Sequence, residues 1–179
     1  MRESKSFKAP SQQGELDSCC GIYSVINSTK HIVKLTESDC CDLFYACLGV
    51  IGKRKDITSL MLDGVTGPEL NRLFNEIVCP EYDILKRKPF HSNRNPPLDQ
   101  YWSSIQTFLN SGHRRAVITA IEGQDWSHWT TVYKVSSRQL RLLDSSGRQV
   151  INRAHCSIQD NSKGIMLYPT HTYFLERKR

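Results

Sequence analysis

Read for its hydrophobic and polar positions, the chain divides into a helical first part and a stranded second part. From Cys20 the apolar residues recur at Ile22, Val25 and Ile26, the spacing of one buried helical face. Asp17 or Ser18 stands where such a helix wants its N-cap. Thr36-Glu37-Ser38-Asp39 can cap a second helix carrying Leu43, Phe44, Cys47 and Leu48, with residues 49–55 read as a loop. Thr66-Gly67-Pro68-Glu69 has the form of a capping box with proline in the first turn. Leu70, Leu73, Phe74 and Ile77 make the apolar stripe of that helix, and Cys79-Pro80 is expected to end it. Residues 86–97 are the longest irregular stretch. Pro97-Leu98 then opens a helix with Tyr101, Trp102, Ile105, Phe108 and Leu109, stopped at Gly112.

Beyond Gly112 the period shortens to two. Strands are predicted at 115–121, 128–135, 139–143, 164–168 and 172–175, where β-branched and aromatic residues concentrate. Helices segregated from strands define the α+β class. The expected architecture is a set of N-terminal helices, with the Cys20 helix central among them, packed on a C-terminal antiparallel β-sheet. No internal repeat or second domain is evident, so residues 1–179 read as one domain.

The start of the first helix carries the candidate chemistry. Gln12-Gln13-Gly14-Glu15-Leu16-Asp17-Ser18-Cys19-Cys20-Gly21 places a cysteine at a helix N-terminus with a glutamine shortly upstream. A thiol in such a position faces unpaired backbone N–H groups and the positive end of the helix dipole, which favour its anion. Gln13 and the backbone N–H of Cys20 can donate to the oxyanion that forms when sulfur attacks a carbonyl. Cys19 and Cys20 also suit plain core packing, the usual use of a free cysteine. The second half supplies the missing partners. Ser127-His128-Trp129 opens one strand and Leu143-Asp144-Ser145 closes the next. With a three-residue loop at 135–137, Lys134 faces Arg138 and His128 faces Asp144, and directly opposed residues share a face of the sheet. A two-residue loop would put them on opposite faces unless a bulge restored the register. Cysteine, histidine and aspartate in this order offer a nucleophile, a base and an orienting carboxylate. Cys19, Trp126 and Ser127 are the neighbouring residues expected at a substrate cleft.

Composition narrows the setting. At 39% hydrophobic and 23% charged the chain is of soluble globular type. No apolar run reaches membrane-spanning length, and Met1-Arg2-Glu3-Ser4-Lys5 lacks a signal-peptide core, which points to the cytoplasm or to a domain delivered from elsewhere. Seven cysteines, an odd number, argue for reduced thiols. The adjacent pairs Cys19-Cys20 and Cys40-Cys41 do not make zinc ligands, because neighbours on a helix point about 100° apart. No metal or other cofactor is expected. The net charge of +6 lies in short clusters, Lys53-Arg54-Lys55, Lys86-Arg87-Lys88, Arg114-Arg115 and Arg177-Lys178-Arg179. A nucleic-acid reader would show one basic face with interleaved aromatics, so an acidic protein partner is the better match.

Gln13-Gly14, Cys20-Gly21, Ser127-His128-Trp129 and Leu143-Asp144-Ser145 together resemble the papain-like cysteine peptidase superfamily. Within it, the chain is similar to the double-glycine leader peptidases of bacteriocin exporters and to papain-like toxin domains that bacteria deliver into competitors. The resemblance implies a cysteine protease working through an acyl-thioester, with Cys20 as nucleophile, His128 as base and Asp144 as orienter. It further implies an oxyanion hole of Gln13 and Cys20, glycine before the scissile bond, and a cognate immunity protein blocking the cleft. Type II DNA topoisomerase subunits are one substrate it suggests, reached by delivery into a target cell's cytoplasm. The chain departs from the family pattern in that Asp17 is not adjacent to the cysteine. The glutamine spacing favours Cys19 and the Cys-Gly step favours Cys20. A monomer is expected. The alternatives are a Cys-His-Asp deamidase or transglutaminase-like toxin, and a non-catalytic basic interaction module.

Overall fold

Capping chemistry sets where the helices begin. The computed structural model describes residues 9–14, 17–160 and 163–178. Helix α1 spans Cys20–Val33 and α2 spans Glu37–Gly52. At the start of α2, Thr36 and Asp39 exchange side-chain and backbone hydrogen bonds in a capping box. Asp56 caps α3 (Ile57–Asp63), and a second capping box, Thr66 with Glu69, opens α4 (Gly67–Leu73) with Pro68 in its first turn. The stripe after α4 continues through a π-helical turn, Phe74–Val78, into α5 (Cys79–Glu81). The path ends at Glu81, one residue past Pro80, as the Cys79-Pro80 step predicts. Helix α6 (Leu98–Asn110) follows.

The strands are β1 (Ile84–Arg87), β2 (Arg115–Glu122), β3 (Ser127–Val135), β4 (Gln139–Leu143), β5 (Val150–Asn152), β6 (Cys156–Ser157) and β7 (Ile165–Arg177). They form one sheet in the order β1-β7-β2-β3-β4-β5. Those pairings are antiparallel, as expected; β6 alone pairs parallel, with β7. The class is α+β. Strands predicted separately at 164–168 and 172–175 are one strand, β7. Its register against β2 jumps from Tyr168↔Ala120 to Thr172↔Thr119, which leaves Pro169, Thr170 and His171 as an outward bulge. Bulges are where a strand tolerates proline.

Alternation along β2 splits the core between the two faces of the sheet. Ala116 and Ile118 pack with α1, α2 and α4, while Val117 and Ile121 pack with Tyr101, Trp102 and Ile105 of α6. Helices α1, α2 and α4 thus cover one face of the sheet and α6 the other. Among the described residues, no helix is long and apolar enough to cross a membrane.

Candidate active site

Helix α1 is locked to the sheet along its polar as well as its apolar side. Ser24 Oγ donates to Trp129 O at 2.9 Å, and Thr131 Oγ1 donates to Ser24 O at 3.0 Å. Asn27 Nδ2 donates to Ser11 O and Leu143 O, and its Oδ1 accepts from Ser11 N. These buried bonds fix the helix start relative to β3 and β4. Gly21 lets that start come close, because a Cβ there would lie 2.8 Å from Val65 Cβ and 3.3 Å from Trp129 Cδ1. The Cys-Gly step thus has a packing cause. Gly64, at φ 69°, ends α3 against the loop before Cys20, where any Cβ would meet Ser18 O at 2.5 Å.

The N-cap of α1 is Cys19, and no side chain caps it. Neither Asp17 nor Ser18, the two alternatives the sequence offers, takes that role. Asp17 instead accepts from Cys19 N (2.9 Å) and Gly14 N (2.7 Å), and Ser18 Oγ donates to Leu62 O. An uncapped first turn leaves backbone donors for another acceptor.

His128 and Asp144 meet through a register other than the directly opposed one. The hairpin closes with Ser136 N donating to Gln139 O, which leaves Ser137 and Arg138 as a two-residue loop. Val135 pairs with Leu140 and Lys134 with Arg141, a register that would carry Asp144 to the face away from His128. A bulge at Tyr133 inserts one residue, and beyond it Val132 pairs with Leu142 and Thr131 with Leu143. Continuing that register places Asp144 opposite Thr130, diagonal to His128 and on its face. The contacts agree: Thr130 Oγ1 donates to Asp144 Oδ2 at 2.6 Å, and His128 Nε2 lies 2.9 Å from the same oxygen.

The rest of the carboxylate is also satisfied. Oδ1 accepts from Ser146 N (2.9 Å), Ser146 Oγ (2.6 Å) and Arg148 N (3.3 Å). Burial alone would raise the Asp144 pKa, but the bond and charge of His128, with Ser146 and Thr130, bring it down to about 2. Burial likewise pulls His128 down, and hydrogen bonds and charge from Asp144 and Cys20 outweigh it, raising the imidazole to about 9. With Nε2 committed to the carboxylate, Nδ1 is the nitrogen that can exchange a proton with Cys20. Trp129 N–H points at Cys20 Sγ from 3.5 Å.

Cys20, Ser127 and His128 line a cleft of about 420 Å³, whose other walls include residues 62–67, Trp129, Tyr168 and His171. Cys19 and Trp126 do not line it. Cys19 is 1% exposed, and burial with the adjacent Asp17 carboxylate pushes its thiol up to about 11. Trp126 stands outside, with the Arg148 guanidinium 4.8 Å over its ring. Gln13 bridges the two halves of the site. Its backbone N–H donates to Ser145 O, its Oε1 accepts from Ser145 Oγ at 3.0 Å, and its Nε2 donates to Asp17 O at 3.3 Å.

Thr130 and Ser146 escaped the sequence reading although both were legible in principle. Thr130 is two residues from His128 on the same strand face, and Ser146 follows Asp144 at the spacing of an Asx turn. No sequence signal marked His171, which the β7 bulge brings 5.7 Å from Trp129, centroid to centroid. No protein-family model matches the chain, and no curated protein matches its sequence.

Proposed function

We propose that this chain is a papain-like cysteine endopeptidase. The observation that carries the reading is a helix-start cysteine and an imidazole on one open cleft, with a fully buried carboxylate 2.9 Å from the imidazole. In this mechanism His128 Nδ1 holds the proton of Cys20, and Sγ attacks the substrate carbonyl carbon. The resulting oxyanion takes hydrogen bonds from the Cys20 backbone N–H and the second Nε2 hydrogen of Gln13. The imidazolium then protonates the departing amine, leaving an acyl-thioester. Water, deprotonated by His128, hydrolyses it and regenerates the thiol. Asp144 keeps the ring oriented and balances its charge throughout.

The resemblance to double-glycine peptidases extends the proposal to glycine before the scissile bond and to an antibacterial effector acting in the cytoplasm of a target cell. Type II DNA topoisomerase subunits are then candidate substrates, and an acidic immunity protein is the candidate inhibitor. Proteomics of new N-termini in bacterial lysate, comparing wild type with Cys20→Ala, tests the reading. Cleavages made by the wild type alone, with glycine preceding the cut, support it. Mass-shifted but uncut proteins contradict proteolysis while keeping thiol chemistry.

A further inference from the structure

Where the Cys20 cleft ends, a second and larger groove begins. It encloses about 1170 Å³ and shares Gly67, Tyr168 and His171 with the cleft, so the two are continuous. Its floor and walls come from the start of α4, the segment after β1 and the β7 bulge. Lys88, His91 and Arg94 face it, and among the described residues no acidic one lines it.

The treatment of neighbouring basic side chains makes this groove distinctive. Lys86 Nζ is held by Asn71 and Asn75, and Arg87 and Arg115 both pair with Glu176. Among the described residues, Lys88 and Arg94 have no carboxylate within ion-pair distance. The Lys88 ammonium instead sits 4.8 Å over the Tyr173 ring, half-buried, and its desolvation pulls its pKa down. A partly desolvated cation without a counter-charge is a site that an incoming anion stabilises. Beside the groove, Arg87 and Arg115 share a carboxylate and Lys86 is held by two side-chain amides, whereas Lys88 and Arg94 within it have no such acidic partner among the described residues.

We propose that this groove binds an acidic segment of the polypeptide whose scissile bond lies over Cys20. The proposal rests on the hydrolase reading for the identity of the bound chain, and on charge complementarity and continuity with the cleft for its chemistry. An acidic stretch held by Lys88 and Arg94 would also fix the direction in which the substrate crosses the catalytic residues.

Two measurements on the full chain test it. In the first, fluorescein-labelled hexaglutamate is titrated by anisotropy against Cys20→Ala protein, with hexaglutamine as control. Binding is expected to weaken with salt, because attraction is screened beyond about 10 Å at 0.1 M. Adding Lys88→Glu and Arg94→Glu should weaken it roughly tenfold or more. Lys53→Glu with Arg54→Glu, an equal change in net charge on exposed residues outside the groove, should leave it nearly unchanged. Equal weakening by both pairs, or no preference for hexaglutamate over hexaglutamine, overturns the proposal. Arg94 is exposed, so Arg94→Glu alone supplies the same comparison should Lys88→Glu not fold.

In the second, a proteome-derived peptide library is cleaved by wild type and by the Lys88→Glu, Arg94→Glu variant. Acidic residues enriched at a fixed distance from the cut, and lost in the variant, support the groove. Cysteine-dependent cleavage with no acidic enrichment overturns the groove and leaves the hydrolase. Hexaglutamate binding without any Cys20-dependent cleavage overturns the hydrolase reading, and with it the assignment of the bound segment to a substrate.

Discussion

Asp144 shows how much of the proposed chemistry is decided by single residues. Five hydrogen-bonding groups converge on its two oxygens, and its side chain has no exposed surface. The raised His128 pKa of about 9 makes the imidazolium persist through neutral pH and predicts an alkaline limb near that value in kcat/KM. Asp144→Asn removes the counter-charge, so that limb should move to lower pH while the rate falls by several orders of magnitude, as measured in a pH–rate series. An unmoved limb would mean that Asp144 does not set the ring's charge. Thr130 is a positioning residue acting through Asp144. Thr130→Val should cost roughly 1.5–3 kcal/mol, the range for a hydrogen bond to a charged group, read from denaturant titration. It should also shift the alkaline limb downward, and Thr130→Ser should restore both.

At the scale of elements, close packing and register decide whether the three side chains meet. Gly21→Ala tests the packing. Alanine favours a helix by about 1 kcal/mol over glycine, but overpacking against Val65 and Trp129 costs about 1–3 kcal/mol. The net should be destabilisation in a thermal melt, with reduced activity because Trp129 N contacts Cys20 Sγ. A variant more stable than wild type with full activity would show that α1 need not sit so close. The helices α2 and α4 were legible because their caps and apolar stripes agree, and α1 and α6, which no side chain caps, were legible from their stripes. Helix α3 was not, since Ile57 and Leu62 are 59% and 73% exposed and only Leu60 is buried, which leaves no stripe to read. Strand β1 hid in a basic run, where Lys86 and Arg87 suit a sheet edge better than a core. The identities of His128 and Asp144 were readable from the hairpin, but their alignment was not. Whether a two-residue loop leaves them together depends on one bulged residue, Tyr133, and nothing in its local sequence announces the bulge.

For the molecule as a whole, the His128–Asp144 pair links the site to stability across the sheet. The folded-state pKa of His128 is about 9 against an ordinary 6.5, so its contribution is fully present below 6.5 and is lost as pH rises through 9. Asp144, lowered to about 2 from 3.8, contributes above 3.8 and loses that contribution as pH falls through 2. Both shifts express one shared interaction, so their effects are not added. Wild type minus His128→Ala stability, followed by denaturant unfolding, should therefore be greatest between about pH 4 and 6.5. A difference that does not vary between pH 4 and 10 would contradict the pairing. The two cores, one on each sheet face, explain why so few residues near the cleft carry fold information: most of the apolar pattern specifies packing remote from it.

In the proposed mechanism Cys20, and not Cys19, is the nucleophile, and His128 governs it. Site-resolved alkylation by iodoacetamide at neutral pH, followed by mass spectrometry, tests it most directly, with the exposed Cys41 as an internal reference. Cys20 is expected to react much faster than Cys41, buried Cys19 least of the three, and His128→Ala is expected to remove the Cys20 advantage. Cys20 reacting no faster than Cys41, or keeping its rate without His128, would contradict that mechanism.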